Sequence, residues 1–187
     1  MPNAFTLVIT NASAIAPFLL WQVKFDSFSL TFVLVGYLLL NAASLLGPFI
    51  MTRFKIKVRH VGIVAIANLC VVVLFGVSNE LWLVAAAFFA HVLLHVIQTV
   101  LVSGLFHAGI ENSIRATAGS IISLFDSLVV VGLAPLVGWI GQTYGLGWGI
   151  SISCLLYATV IVIAFTGGFR TRVARSQAND AESEATP

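Results

Sequence analysis

Four polar side chains able to handle protons or hydrogen-bonded solutes interrupt the apolar stretches of this 187-residue chain: His91, His95, Gln98 and Asp126. The first three are spaced i, i+4 and i+7, which puts them on one face of a helix. Asp126 follows in a later stretch, flanked by Ser120, Ser123 and Ser127. Imidazole changes charge near neutral pH, and an ionisable group inside an apolar span costs about 2.5–3.5 kcal/mol on insertion scales, so such residues mark pathways for protons or solutes. The competing reading is that they only bond neighbouring helices, an interaction worth about 0.6 kcal/mol on average in membranes. Two histidines four residues apart can also share a metal or a haem. That chemistry wants further histidines, and only His60 and His107 remain, each at the end of an apolar stretch. Cys70 and Cys154 stand in separate apolar runs with no metal-type spacing and suit packing. No metal and no cofactor is expected.

The elements that hold these residues are dictated by composition. Hydrophobic residues make up 59% of the chain and charged residues 9%, with a mean hydropathy of +1.05. A water-facing globular domain carries about 25% charged residues, because its surface has to be solvated. Most of this chain must therefore face lipid or other apolar helices, and the expected fold is an all-α membrane bundle. A helix needs about 20 apolar residues to cross roughly 30 Å of hydrocarbon. Windows near 4–23, 29–51, 60–78, 81–105, 117–140 and 147–167 meet that requirement, giving a six-span bundle over residues 1–168. The first window lacks the cationic lead and cleavage signal of a secretory leader and reads as a retained span. Residues 169–187 are polar and form an expected disordered tail. The formal net charge of +2 points to no nucleic-acid partner. No nucleophile–base pair, phosphate loop or nucleotide fingerprint is present, so enzymatic activity is not expected.

Orientation follows from the basic residues. Arg53, Lys55, Lys57 and Arg59 fall between spans two and three, Arg115 between four and five, and Arg170, Arg172 and Arg175 after span six. Alternating spans put all of these on one side, against Lys24 on the other. Basic loops stay cytoplasmic, which predicts a multi-pass protein of the cell membrane with both termini inside. Polar residues also sort the spans. Span one carries Asn11, Ser13 and Gln22, span two Asn41 and Ser44, and spans four and five the ionisable residues. Span three has only Asn68, and span six Ser151, Ser153 and Tyr157. Spans one, two, four and five are thus expected to line an interior, with three and six toward lipid. The rise of about 1.5 Å per residue places His95 and Asp126 at similar depth. Candidate pathway residues are His91, His95, Gln98, Asp126, Gln22 and Asn41.

Three stretches carry a likeness to a known family: Phe18-Leu-Leu-Trp-Gln-Val-Lys24, the basic run Arg53-Phe-Lys-Ile-Lys57, and Asn112-Ser-Ile-Arg-Ala-Thr-Ala-Gly-Ser120 followed by Ala134-Pro-Leu-Val-Gly-Trp-Ile-Gly-Gln-Thr-Tyr-Gly145. Together they resemble the C-terminal six-helix half of a major facilitator superfamily transporter. Thr52 and Gln142 stand where the family pattern has acids. The resemblance implies a three-plus-three inverted repeat, with the first, second, fourth and fifth helices facing a central cavity. It implies secondary transport of a small solute, coupled to protons or to the solute's own gradient, with Arg53, Lys55, Lys57 and Arg115 in cytoplasmic gating loops. One half cannot alternate access alone, so the expected partners are the bilayer, a small-molecule substrate and an N-terminal six-helix half or second subunit. A non-transporting accessory subunit is the alternative.

Overall fold

The computed structural model describes residues 2–166, and every element among them is a helix. The run is α1 (Pro2–Ala12), α2 (Ile15–Asp26), α3 (Leu30–Arg53), α4 (Val61–Val77), α5 (Leu81–Ala108), α6 (Arg115–Tyr144) and α7 (Leu146–Phe165), with single 3₁₀ turns at Val58–His60 and Asn112–Ile114. Six segments are long and apolar enough to cross a membrane, with α1 and α2 together making the first, Ala4–Asp26. The tail expected over 169–187, with Arg170, Arg172 and Arg175, lies outside the described residues.

Connections are short, and local chemistry sets them. Ser29 opens α3 from an extended backbone, its hydroxyl accepting the Thr31 N–H. Ser78-Asn79-Glu80 joins α4 to α5, with Ser78 Oγ accepting the Glu80 N–H at 3.4 Å. Gly145 alone joins α6 to α7 at φ +100°, a conformation L side chains rarely adopt. The helix before it therefore runs on to Tyr144, through the stretch Gly141–Tyr144 that the sequence suggested as connection.

The first crossing is central, packing against α3, α5, α6 and α7. Around it, α4 lies along both α5 and α7, α3 packs on α5, and α6 on α7. One close approach occurs where α6 and α7 meet beneath α2. A Cβ added at Gly149 would lie 2.7 Å from Leu20 Cδ1 and 3.1 Å from Gly141 Cα. Gly132 and Gly138 face open space instead, so those two are not packing contacts.

Two apolar clusters fill the bundle. One, around Trp21, Phe25, Phe75, Phe88 and Ile150, occupies the end with the 27–29, 78–80 and 145 connections. The other, around Leu7, Val61, Ile97, Leu101, Leu105 and Phe106, fills the opposite end. At this second end Arg53, Lys55, Lys57, Arg59 and Arg115 are all exposed.

The sorting of spans by polarity needs correction. Spans three and six (α4 and α7) show lipid-suited outer faces, such as Ile63, Val73, Leu155 and Val162, yet they pack along each other and send Asn68 and Tyr157 into the core. The least covered spans are two and five: only 17% of the most apolar window of α3 and 11% of that of α6 is buried, against 33% to 56% elsewhere. Helices that are apolar all round give no periodic signal for which face is covered, and packing decides it.

Candidate functional site

The site is organised by a broken helix. Pro17 offers no N–H to the carbonyl four residues back, and its ring crowds that carbonyl. The carbonyl belongs to Ser13, and the first crossing parts at Ser13–Ala14. Ala14 N–H turns to Asn11 O at 3.2 Å, and Ser13 Oγ donates to Thr10 O at 2.6 Å. Ala12, Ser13 and Ala14 are buried. The irregular backbone is thus enclosed by protein, the condition under which it is tolerated at membrane depth.

Beside the break, Asn11 Nδ2 donates to Asp126 Oδ2 at 2.7 Å, joining the first and fifth spans across 115 residues. The pair borders an open-sided cavity of about 570 Å³ in the half of the bundle nearer the basic end. Its polar lining is Asn11, Thr99, Ser103, His107, Ser120, Ser123 and Asp126, and its apolar walls include Leu7, Phe106 and Ile122. Asp126 Oδ1 and His107 Nδ1 are enclosed and have no hydrogen-bond partner among the described residues. The Ser120 hydroxyl donates to Ala116 O within its own helix at 3.1 Å, which leaves its oxygen as an acceptor.

A second polar group lies deeper, at the junction of the two apolar clusters. His91 is fully buried, and its Nδ1 lies 2.8 Å from Asn68 Oδ1. Asn68 Nδ2 donates to Tyr157 Oη at 3.0 Å, and Tyr157 Oη lies 3.4 Å from His95 Nδ1. His95 Nε2 is 3.4 Å from Thr99 Oγ1, and Thr99 lines the cavity. With the amide nitrogen given to Tyr157, Asn68 Oδ1 is the acceptor that faces His91 Nδ1. Tyr157 Oη and Thr99 Oγ1 flank the two nitrogens of His95. Asn68 joins the ends without relaying protons, because a side-chain amide does not exchange them as imidazole and hydroxyl do. Tyr157, His95 and Thr99 form the stretch that reaches the cavity, while His91 is held by Asn68.

The candidate residues therefore divide. Asp126 lines the cavity, and His95 reaches it through Thr99. The two are not bonded to each other, although their depths led one to expect neighbours. His91 and Gln98 are both fully enclosed, and neither Gln98 side-chain atom has a partner among the described residues. Gln22 is exposed, and Asn41 is exposed with its Nδ2 given to Tyr37 O of its own helix at 2.8 Å, so neither joins the site. Arg53, Lys55, Lys57 and Arg115 are exposed at the basic end and do not line the cavity. Arg115 donates to Ile110 O at 3.4 Å, and Lys55 adopts φ 49° in the turn that closes α3. Against the shared-metal reading of the histidines, His91 Nδ1 lies 2.8 Å from Asn68 Oδ1 and both nitrogens of His95 face hydrogen-bond partners. No group of three potential metal ligands occurs among the described residues.

Sequence reasoning missed Asn68, Tyr157, Thr99 and His107 as site residues and noted Asn11 only as a polar residue of span one. A single amide inside seventeen residues of α4 was the available signal, since a lone polar group in such a setting must find a partner. Compared with protein-family models, with curated proteins and with solved structures, the chain matches none.

Proposed function

We propose that this chain is one six-helix half of a secondary transporter of the cell membrane, moving a small solute through the Asp126 cavity, with protons as the coupling ion. The observation that carries the reading is the meeting of a carboxylate, a broken crossing and an open cavity. The break sets Asn11 near the end of α1, where it holds Asp126 at the cavity edge. A cavity of about 570 Å³ is of the size that holds a small organic molecule. The Tyr157–His95–Thr99 path supplies a route by which protonation near the core could be felt in the cavity. The basic end, with Arg53, Lys55, Lys57, Arg59 and Arg115, is the cytoplasmic side in this reading.

The poorly covered faces of α3 and α6 fit a second six-helix bundle packed against them, in keeping with the resemblance to a major facilitator half. The same faces favour a second reading, a non-transporting accessory subunit, whose role would lie in those contacts alone. Uptake by proteoliposomes containing the chain with the membrane protein that co-purifies with it separates the two. Transport abolished by Asp126→Asn supports the first. Transport equal to wild type in both Asp126→Asn and His95→Ala supports the second.

A further inference from the structure

We infer that the Asp126 cavity is a binding site for a small organic ammonium ion, held at Asp126 Oδ1. The inference rests on reading this cavity as a solute site, and it adds the chemical class of the solute.

The argument begins with the uneven state of the carboxylate. Oδ2 is committed to Asn11 Nδ2 at 2.7 Å, which fixes the plane of the group. Oδ1 is enclosed and has no partner among the described residues. A buried carboxylate oxygen left unpaired is costly and calls for a proton or a counter-charge. No Lys or Arg lines the cavity, and the one other ionisable side chain there is His107. The lining therefore supplies no permanent cation to Oδ1, a place that a positively charged solute fits.

The remaining lining says what form that charge takes. Ser120 has spent its proton on Ala116 O, so it offers the cavity an acceptor. An ammonium group is donor-only and meets such a set with its N–H bonds. A bare divalent cation would want about six oxygen ligands at short range, and one carboxylate with scattered hydroxyls does not make that cage. Leu7, Phe106 and Ile122 supply apolar wall, which suits the hydrocarbon or aromatic body of an amine. One negative charge in the lining matches one positive charge on the solute. A carboxylate or phosphate solute would meet Asp126 with like charge and no Lys or Arg to offset it.

Equilibrium dialysis of the full chain in phosphatidylcholine nanodiscs tests this, with phenethylammonium as probe and 2-phenylethanol and 3-phenylpropionate as its neutral and anionic counterparts. Saturable binding of phenethylammonium is expected, with 2-phenylethanol and 3-phenylpropionate much weaker. Asp126→Asn should weaken phenethylammonium binding about ten- to a hundredfold, as loss of a hydrogen bond to a charged group does. Asp126→Glu keeps the charge and should stay within severalfold of wild type, which separates lost recognition from lost folding. No saturable binding of phenethylammonium, or equal binding of the neutral counterpart, or binding untouched by Asp126→Asn, overturns the inference. Its fate is separable from that of the transport reading. Binding with no uptake in proteoliposomes sinks transport and leaves the ligand class, whereas uptake of an anionic or neutral solute without phenethylammonium binding does the reverse.

Discussion

Asn68 and His91 meet at 2.8 Å across the α4–α5 contact, and the same amide holds Tyr157 from α7 at 3.0 Å. One side chain thereby bonds two buried partners on two helices. Replacing Asn68 with Ala strands the imidazole Nδ1 and takes one partner from the phenol. The expected destabilisation is about 1–3 kcal/mol, the cost of leaving buried polar groups unpaired. Tyr157→Phe removes a hydroxyl that one donor can replace poorly, and should cost nearer 0.6 kcal/mol, about the average for a membrane hydrogen bond. Urea-dependent unfolding in mixed micelles reads both. Coupling in the Asn68→Ala/His91→Ala double mutant checks that the pair acts as a unit.

Backbone proximity makes a second prediction. Gly149→Ala would set a Cβ 2.7 Å from Leu20 and 3.1 Å from Gly141 Cα, where backbone cannot give way cheaply. Overpacking of this kind costs about 1–3 kcal/mol. Gly132→Ala meets nothing within 4 Å and should be neutral or slightly stabilising, as Ala is the better helix former. The same unfolding assay distinguishes them, and equal effects from the two would contradict the close α6–α7 crossing.

Transport should depend on the Asn11–Asp126 pair in a graded way. Asp126→Asn is expected to abolish solute uptake. Asn11→Ala leaves the charge but frees its orientation, and should lower uptake by about tenfold, the loss of one charge-assisted hydrogen bond. Gln22→Ala and Asn41→Ala, exposed and away from the cavity, should leave uptake unchanged. Loss of activity in those two would move the site elsewhere.

Water access to the cavity can be measured by cysteine labelling. In a background with Cys70→Ala and Cys154→Ala, Ser123→Cys lines the cavity and should react with a membrane-impermeant methanethiosulfonate. Ser153→Cys replaces a fully buried residue and should stay unreactive until the protein unfolds. Reaction of Ser123→Cys only when reagent is supplied on the side of Arg53 and Arg115 would place the basic end and the cavity mouth together.

The break in the first crossing predicts a further sensitivity. Pro17→Ala restores an N–H able to bond Ser13 O, and the helix can then run through Ser13 and Ala14. Straightening there shifts Asn11 relative to Asp126. Uptake should fall although the backbone gains a hydrogen bond. Hydrogen exchange at residue 17, slowed relative to its neighbours, reports that the bond has formed.

The amino-acid sequence alone determined that this chain has six stretches long and apolar enough to cross a bilayer as helices, and nearly where each one ends. Those properties depend on local composition, because roughly 20 apolar residues in a row can satisfy their backbone in lipid only as a helix. It also marked His91, His95 and Asp126 as exceptional, since any ionisable group in such a run is. Tertiary structure alone decided what those residues bond. Asn68 and His91 are separated by 23 positions, Asn68 and Tyr157 by 89, and Asn11 and Asp126 by 115. Helical periodicity reports which residues share a face and carries no information about which distant face it meets. In a chain whose helices are apolar nearly all round, the hydrophobic pattern is too uniform to choose among packings. The choice between lipid and core for α3, α4, α6 and α7 was made by shape, at glycines such as Gly149 and by polar side chains such as Asn68 that had to find one another.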